Sequence, residues 1–112
     1  LCGDVSEAGY DHNEQKVAAV PVFDIPASQI NDDSREMRLQ NGTTTDDHCI
    51  HMMGYYYKDG KYWYLIKDSN GNTFDGAYPG YRIYSEDYVK LKMMNILIHG
   101  EAARWFLDKI VK

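Results

Sequence analysis

A tight β-hairpin turn is predicted at residues 58–61, Lys-Asp-Gly-Lys, and it dictates how the residues on both sides must pair. The Asp-Gly dipeptide readily supplies the positive φ angles that a two-residue turn requires. Residues 44–54 alternate along the chain and predict a strand entered from a polar loop. The aromatic and β-branched residues 62–67 predict the returning strand, which stops at Ser-Asn-Gly-Asn. An antiparallel hairpin is therefore the expected centre of the domain.

This hairpin would bring two polar side chains together from distant positions in the sequence. His48 stands near the start of the first strand and Asp68 at the end of the second, so antiparallel pairing places them at one edge of the sheet. A histidine that faces a short polar acceptor is the arrangement in which an imidazole is oriented as the base for a nucleophile. We therefore predict that His48 is such a base and that Asp68 orients it.

Two sequence boxes carry a resemblance to a known family. Asp47-His48 followed by Gly54, and then residues 65–71 (Leu-Ile-Lys-Asp-Ser-Asn-Gly), resemble the histidine and asparagine boxes of papain-like cysteine peptidases. The flanking residues 3–7, 84–89 and 95–99 resemble the bleomycin hydrolase or aminopeptidase C branch of that family. The resemblance spans nearly the whole chain but only the C-terminal half of the family's catalytic domain. Residues 1–112 are therefore expected to form that half.

The resemblance implies both a fold and an activity. The implied fold is α+β, with an antiparallel, barrel-like β-sheet and two or three helices packed around it. The complete enzyme would hydrolyse peptide bonds through a thiolate–imidazolium pair, in which His48 is general base and acid and Asp68 is the orienting residue. Asp47 and Cys49, which flank His48, would contribute to substrate binding. The resemblance implies no cofactor and no metal.

The chain also departs from the family pattern in ways that bear on activity. Asp68 stands where the family has asparagine, and Asn70 stands where it has a tryptophan that covers the histidine's hydrogen bond. The nucleophilic cysteine and the oxyanion-hole glutamine belong to the other half of the fold, and no motif of that kind occurs in this sequence. This chain alone is therefore expected to be inactive. The alternative is a non-catalytic homologue that binds peptide or a partner protein in the same groove.

Composition restricts the partners that the chain can have. Its 112 residues, 44% of them hydrophobic and ten of them tyrosine, suffice for one modest core. The net charge of −5 argues against nucleic acid and against a polybasic membrane surface, and no apolar run is long enough to span a bilayer. The chain opens with Leu1 rather than methionine, so a fragment is expected. Its expected partners are the N-terminal half of the domain, a peptide substrate and further copies of itself.

Outside the hairpin, the sequence predicts short elements. We expect a strand within residues 1–6, an extended covering segment at 17–23 and a helix from Pro26 to about Asn41. A strand at residues 81–84, a helical turn capped by Ser85, a strand at 93–99 and an amphipathic helix at 101–111 follow. Residues 11–15 are expected to be exposed, and residues 72–80 are expected to form a loop.

Several side chains allow more than one interpretation. Cys49 and His51 share a strand face, but His48 points the other way, so only two metal ligands would converge and a metal site is disfavoured. The tyrosine-rich strands resemble a carbohydrate-binding platform, yet cross-strand packing is the simpler explanation. Cys2 is expected to be a small buried strand residue. The two cysteines permit at most one disulfide and do not indicate a compartment. Trp105 is expected to anchor the last helix.

Overall fold

The computed structural model of the chain describes residues 1–6, 8–10, 17–69 and 78–111, which form an α+β structure. The strands are β1 (Cys2–Gly3), β2 (Val17–Ala18), β3 (His48–Cys49), β4 (His51–Lys58), β5 (Lys61–Lys67), β6 (Tyr81–Ser85) and β7 (Met93–Asn95). The α-helices are α1 (Asp32–Gln40), α2 (Glu86–Lys92) and α3 (Gly100–Ile110), and a single 3₁₀ turn covers Ala27–Gln29. The predicted α+β class is confirmed.

In the described part of the chain the strands form two open sheets rather than one closed barrel. The first sheet has the order β3-β1-β7 and is antiparallel throughout. The second has the order β2-β6-β5-β4, in which β2 runs parallel to β6 and the other pairs are antiparallel. The expectation of a purely antiparallel sheet therefore needs correction at β2. β1, β2 and β3 are only two residues long, which is too short to carry hydrogen bonding from one sheet into the other.

The central hairpin turns where predicted, but its first strand, expected over residues 44–54, is β4 (His51–Lys58), and His48 lies in β3 of the other sheet. β4 pairs with β5 from Lys58↔Lys61 at the turn to His51↔Lys67 at the open end. The two turn residues have positive φ angles, 52° at Asp59 and 80° at Gly60, as a two-residue hairpin turn requires. Aromatic rings pair across the strands near the turn, namely Tyr56 with Trp63, Tyr55 with Tyr62 and Tyr57 with Tyr62. These contacts support cross-strand packing as the role of the aromatic residues.

A single apolar cluster lies where the two sheets meet. Its buried members are Tyr10, Ala18, Ile50, Ile66, Tyr84, Tyr88 and Met93. Three of these tyrosine rings are in mutual contact, with centroid separations of 5.3 to 6.2 Å. The Tyr88 hydroxyl donates a hydrogen bond of 2.8 Å to the Asp4 carbonyl oxygen, so this buried polar group is satisfied. The cluster therefore ties the N-terminal residues to the hairpin.

The segment before the hairpin differs from its prediction in two places. α1 begins at Asp32 rather than near Pro26, because the Asn31 side chain accepts a hydrogen bond from the Ser34 backbone in a reciprocal capping box. Arg38 of α1 is buried, and its guanidinium makes two hydrogen bonds to the Asp24 carboxylate. Of the run at 17–23, predicted as an extended covering segment, Val17–Ala18 form the edge strand β2, and Val22 is 97% exposed.

The C-terminal residues form the predicted helix but leave its apolar face uncovered. Strand β7 ends at Asn95, and Leu97 beyond it is 94% exposed. In α3 only Ala103 is buried, and Trp105 is 64% exposed, so its expected role as an anchor is wrong. The tryptophan ring instead contacts Phe106 of its own helix. Within the described residues, no helix is both long and apolar enough to cross a membrane. Residues 11–15 and 72–77, predicted as exposed or loop, lie outside the described residues.

Candidate functional site

The His48 and Asp68 side chains meet at the junction of the two sheets. The imidazole Nε2 atom lies 2.8 Å from the Asp68 Oδ1 atom. His48 opens the short strand β3, and Asp68 follows the last residue of β5. The predicted proximity of the two side chains is therefore confirmed. Whether they act in catalysis stays a prediction.

Asp68 is buried, whereas the His48 side chain is partly exposed to solvent. Asp68 is only 5% exposed, and its backbone N–H donates a hydrogen bond of 2.8 Å to the Gly80 carbonyl. The His48 side chain keeps 30% of its surface exposed. An ionised carboxylate can only accept hydrogen bonds, so Nε2 must carry the proton of this bond. In the neutral imidazole, the lone pair is then on Nδ1, and that atom can accept a proton from a nucleophile.

Two buried phenols lie near the pair and stay protonated. Burial raises the pKa of Tyr10 and, more strongly, the pKa of Tyr84. The negative charge of Asp68 adds to both shifts. The buried Arg82 guanidinium lies 4.4 Å from the centre of the Tyr10 ring. Neither phenol is therefore available as a base near neutral pH, which leaves proton transfer at this site to the imidazole.

The residues on either side of His48 bind to the N-terminal strand. The Asp47 N–H donates to the Gly3 carbonyl at 3.1 Å, and the Asp47 carboxylate accepts from the Val5 N–H at 3.1 Å. The family resemblance implies a part in substrate binding for Asp47. The structure places one of its carboxylate oxygens on the backbone of the same chain, and a part in substrate binding stays a prediction.

Cys49 is joined to Cys2 by a disulfide, with a Cα–Cα distance of 4.0 Å. The two residues are direct partners in the β1–β3 register. Cys2 was expected to be a small buried residue but is only half-buried, and Cys49 is exposed. Any contact of Cys49 with a substrate would therefore involve a disulfide rather than a thiol. Sequence alone could not reveal the bond, because nothing local pairs residue 2 with residue 49.

A buried polar cluster beneath the segment that leads to His48 was missed entirely by sequence reasoning. Asp4 is 2% exposed and Lys92 is also 2% exposed, and the Lys92 Nζ atom donates to the Thr44 hydroxyl at 3.2 Å. The Asp4 carboxylate accepts hydrogen bonds from the backbone and hydroxyl of Ser6 and from the Thr45 N–H. The Asp-Val-Ser sequence at 4–6 is typical of a local turn in which aspartate accepts from the residue two positions on. That turn pattern was the signal in the sequence from which the hydrogen bonds of Asp4 could have been predicted.

This environment makes the contribution of Asp4 to the free energy of unfolding depend on pH, and the direction of that dependence can be stated. Burial acts to raise the pKa of Asp4, but the hydrogen bonds from Thr45 and Ser6 and the charge of Lys92 lower it below the ordinary value of 3.8. Above pH 3.8 the carboxylate is ionised in both the folded and unfolded states, so its stabilising contribution is complete. As the pH falls through the lower folded pKa, that contribution is lost.

We therefore expect Asp4→Asn to flatten the fall in unfolding free energy below about pH 4. Urea denaturation at a series of pH values measures this slope. Asp33→Asn is the matched control, because it removes one negative charge from the exposed surface of α1. An acid slope that is the same in Asp4→Asn and the original protein would contradict the expectation.

The described residues thus supply an oriented imidazole but no free thiol. No family model matches the chain, and no curated protein matches its sequence. The interpretation must therefore come from the residues themselves. His48 can take a proton at Nδ1 and return it, while Asp68 holds the ring through Nε2. In the described part of the chain neither cysteine is a free thiol, and no group of three or more His, Cys, Asp or Glu side chains could hold a metal ion. Asn70 lies outside the described residues.

Proposed function

We propose that this chain supplies the histidine and its orienting residue to a papain-like cysteine peptidase of the bleomycin hydrolase or aminopeptidase C type. The observation that carries the proposal is the 2.8 Å bond from His48 Nε2 to a buried carboxylate oxygen of Asp68. It fixes the plane of the imidazole, so that Nδ1 would be the atom that accepts a proton. A cysteine thiol from the N-terminal half of the domain would be the donor of that proton.

The geometry supports a specific division of labour between the two residues. His48 would accept the thiol proton at Nδ1, and the resulting thiolate would attack the carbonyl carbon of a peptide bond. The imidazolium would then protonate the leaving amine, which gives an acyl-enzyme that water hydrolyses with the same imidazole as base. Asp68 would hold the ring and stabilise the imidazolium.

The exposed apolar surface supports a second half that packs against this one. Large apolar side chains are exposed in the C-terminal region, namely Ile96, Leu97, Ile98, Trp105, Phe106, Leu107, Ile110 and Val111. Exposed apolar surface of this extent is typical of an interface. In the proposed enzyme this chain is the barrel-like half, and the half that bears the cysteine is its partner. Self-association of the isolated chain would use the same surface.

The alternative function is a non-catalytic homologue that binds peptide or a partner protein. One observation favours it: Cys49, beside the histidine, is bonded to Cys2, so the residue next to the imidazole is covalently fixed. The aspartate at position 68 does not separate the two functions, because a carboxylate and a carboxamide oxygen can both accept the imidazole N–H.

The test uses the full polypeptide that contains this sequence. We expect it to carry an upstream cysteine in a Cys-Trp context and to hydrolyse aminoacyl reporter substrates. His48→Gln should lower turnover by about 100-fold or more, because an acid–base group commonly contributes a factor of this size. His51→Gln is the matched control, because His51 is exposed on β4 and should leave turnover unchanged. If the upstream cysteine is absent, the peptidase proposal fails and peptide binding becomes the function to measure.

A further inference from the structure

The segment that leads to His48 is held by a carboxylate that never touches the histidine. Asp4 Oδ2 accepts the Thr45 N–H at 2.8 Å and the Thr45 hydroxyl at 3.4 Å. Asp4 Oδ1 accepts the Ser6 N–H and the Ser6 hydroxyl, each at 2.9 Å. One buried side chain therefore joins the end of β1 to the residues that enter β3. His48 follows Thr45 by three positions.

We propose that Asp4 is a positioning residue for the His48–Asp68 pair. By fixing the Thr45 backbone, Asp4 sets where β3 begins and so sets the direction from which the imidazole reaches Asp68. The inference deepens the proposed function, since the pair has catalytic meaning only there. The test of this inference needs no substrate, so the inference about Asp4 and the proposed peptidase function can fail separately.

Two features make Asp4 the residue that can carry this role. β3 contains only two residues; its pairing with β1 and the Cys2–Cys49 disulfide hold the strand itself, whereas Asp4 holds the Thr45 backbone that leads into it. Asp4 is anchored independently on its backbone atoms, where its N–H donates to the Lys92 carbonyl at 3.1 Å and its carbonyl accepts from the Tyr88 hydroxyl at 2.8 Å. The Asp4 side chain thus links the buried core to the segment before His48 and holds that segment in place.

The chemistry of the carboxylate suggests the variant that breaks the link. Each of its oxygens faces donors only, on Ser6 at one end and on Thr45 at the other. In Asp4→Asn one oxygen becomes an NH₂ group, which must face donors whichever way the amide turns. A charge-assisted hydrogen bond to a backbone N–H contributes a factor of about 10 to 100 to a local closing equilibrium. Its loss should therefore open the His48 segment by that factor.

The readout is the proton on His48 Nε2, observed by NMR in the intact 112-residue chain. Its resonance reports the bond to Asp68, and its exchange with water measures how often the pair opens. We expect Asp4→Asn to speed this exchange about 10- to 100-fold relative to the slowest backbone amides of the same protein. The ring ¹⁵N shifts should also move toward a mixture of the two neutral tautomers.

Controls separate positioning from general stability. Asp33→Asn removes one exposed charge and should leave the exchange rate unchanged, while Leu91→Ala weakens a fully buried site on α2 and should speed all core amides together. Ser6→Ala removes one hydrogen-bond donor from Asp4 and should give a smaller increase in the exchange rate of the His48 proton, without affecting the core amides. This variant tests the proposal if Asp4→Asn does not fold. The proposal is overturned if both Asp4→Asn and Ser6→Ala keep the exchange rate and ¹⁵N shifts of the original protein. If Asp4→Asn does not fold, unchanged values in Ser6→Ala alone overturn it.

Discussion

Reduction of the Cys2–Cys49 disulfide is expected to lower the free energy of unfolding by about 4 kcal/mol. The bond joins residues with a sequence separation of 47, and the chain entropy that a cross-link removes from the unfolded state grows with the length of the closed loop. Urea denaturation with and without a dithiol reductant measures the effect.

A double variant provides the control for this experiment. Cys2→Ala combined with Cys49→Ala should match the stability of the reduced protein and should not respond to the reductant. The cysteine side chains are only partly buried, so truncation to alanine should add little cavity cost. Equal stability of the oxidised and reduced forms would contradict the entropic argument for this bond.

In the proposed peptidase, Asp68→Ala is expected to lower kcat by about 100-fold or more, with KM nearly unchanged. Asp68 contacts the imidazole and not a substrate, so its loss should affect proton transfer rather than ground-state binding. Asp68→Asn should retain kcat to within about tenfold, because a carboxamide oxygen can still accept the Nε2 proton. Steady-state kinetics on an aminoacyl reporter substrate distinguish the two variants.

Asp33→Ala, on the exposed surface of α1, controls for the loss of one negative charge and should keep both constants. If Asp68→Asn were as slow as Asp68→Ala, the charge of the carboxylate would be the required property and its orienting role would be secondary. If Asp68→Ala kept full turnover, Asp68 would have no part in the mechanism.

The hairpin could be predicted because the information is local: an Asp-Gly turn fixes the register of the two strands. The closeness of His48 and Asp68 was predicted on the assumption that His48 lies in the hairpin strand, whereas the structure reaches it with His48 in β3 of the other sheet. The cap at Ser85 was also predictable, since a serine before two acidic residues is a local signal; its side chain accepts from the Tyr88 N–H.

Other features could not be predicted because they depend on contacts between distant segments. The bond between Cys2 and Cys49 requires β1 to lie beside β3, and the burial of Arg38 requires Asp24 to reach it from outside its helix. Helical periodicity showed which face of α3 is apolar, but it could not show whether another element covers that face. Trp105 was misassigned for this reason.

His48 and Asp68 are contributed by different sheets, since β3 belongs to the three-stranded sheet and Asp68 follows β5 of the four-stranded one. Only Ile50, buried in the shared core, separates β3 from β4. A relative displacement of the sheets would therefore lengthen the Nε2–Oδ1 distance directly, and misplacements of about 1 Å are enough to slow catalysis. Core substitutions that never approach the imidazole can thus alter its reactivity. If His48 transfers protons as proposed, the packing between the sheets and the rate of that transfer will change together.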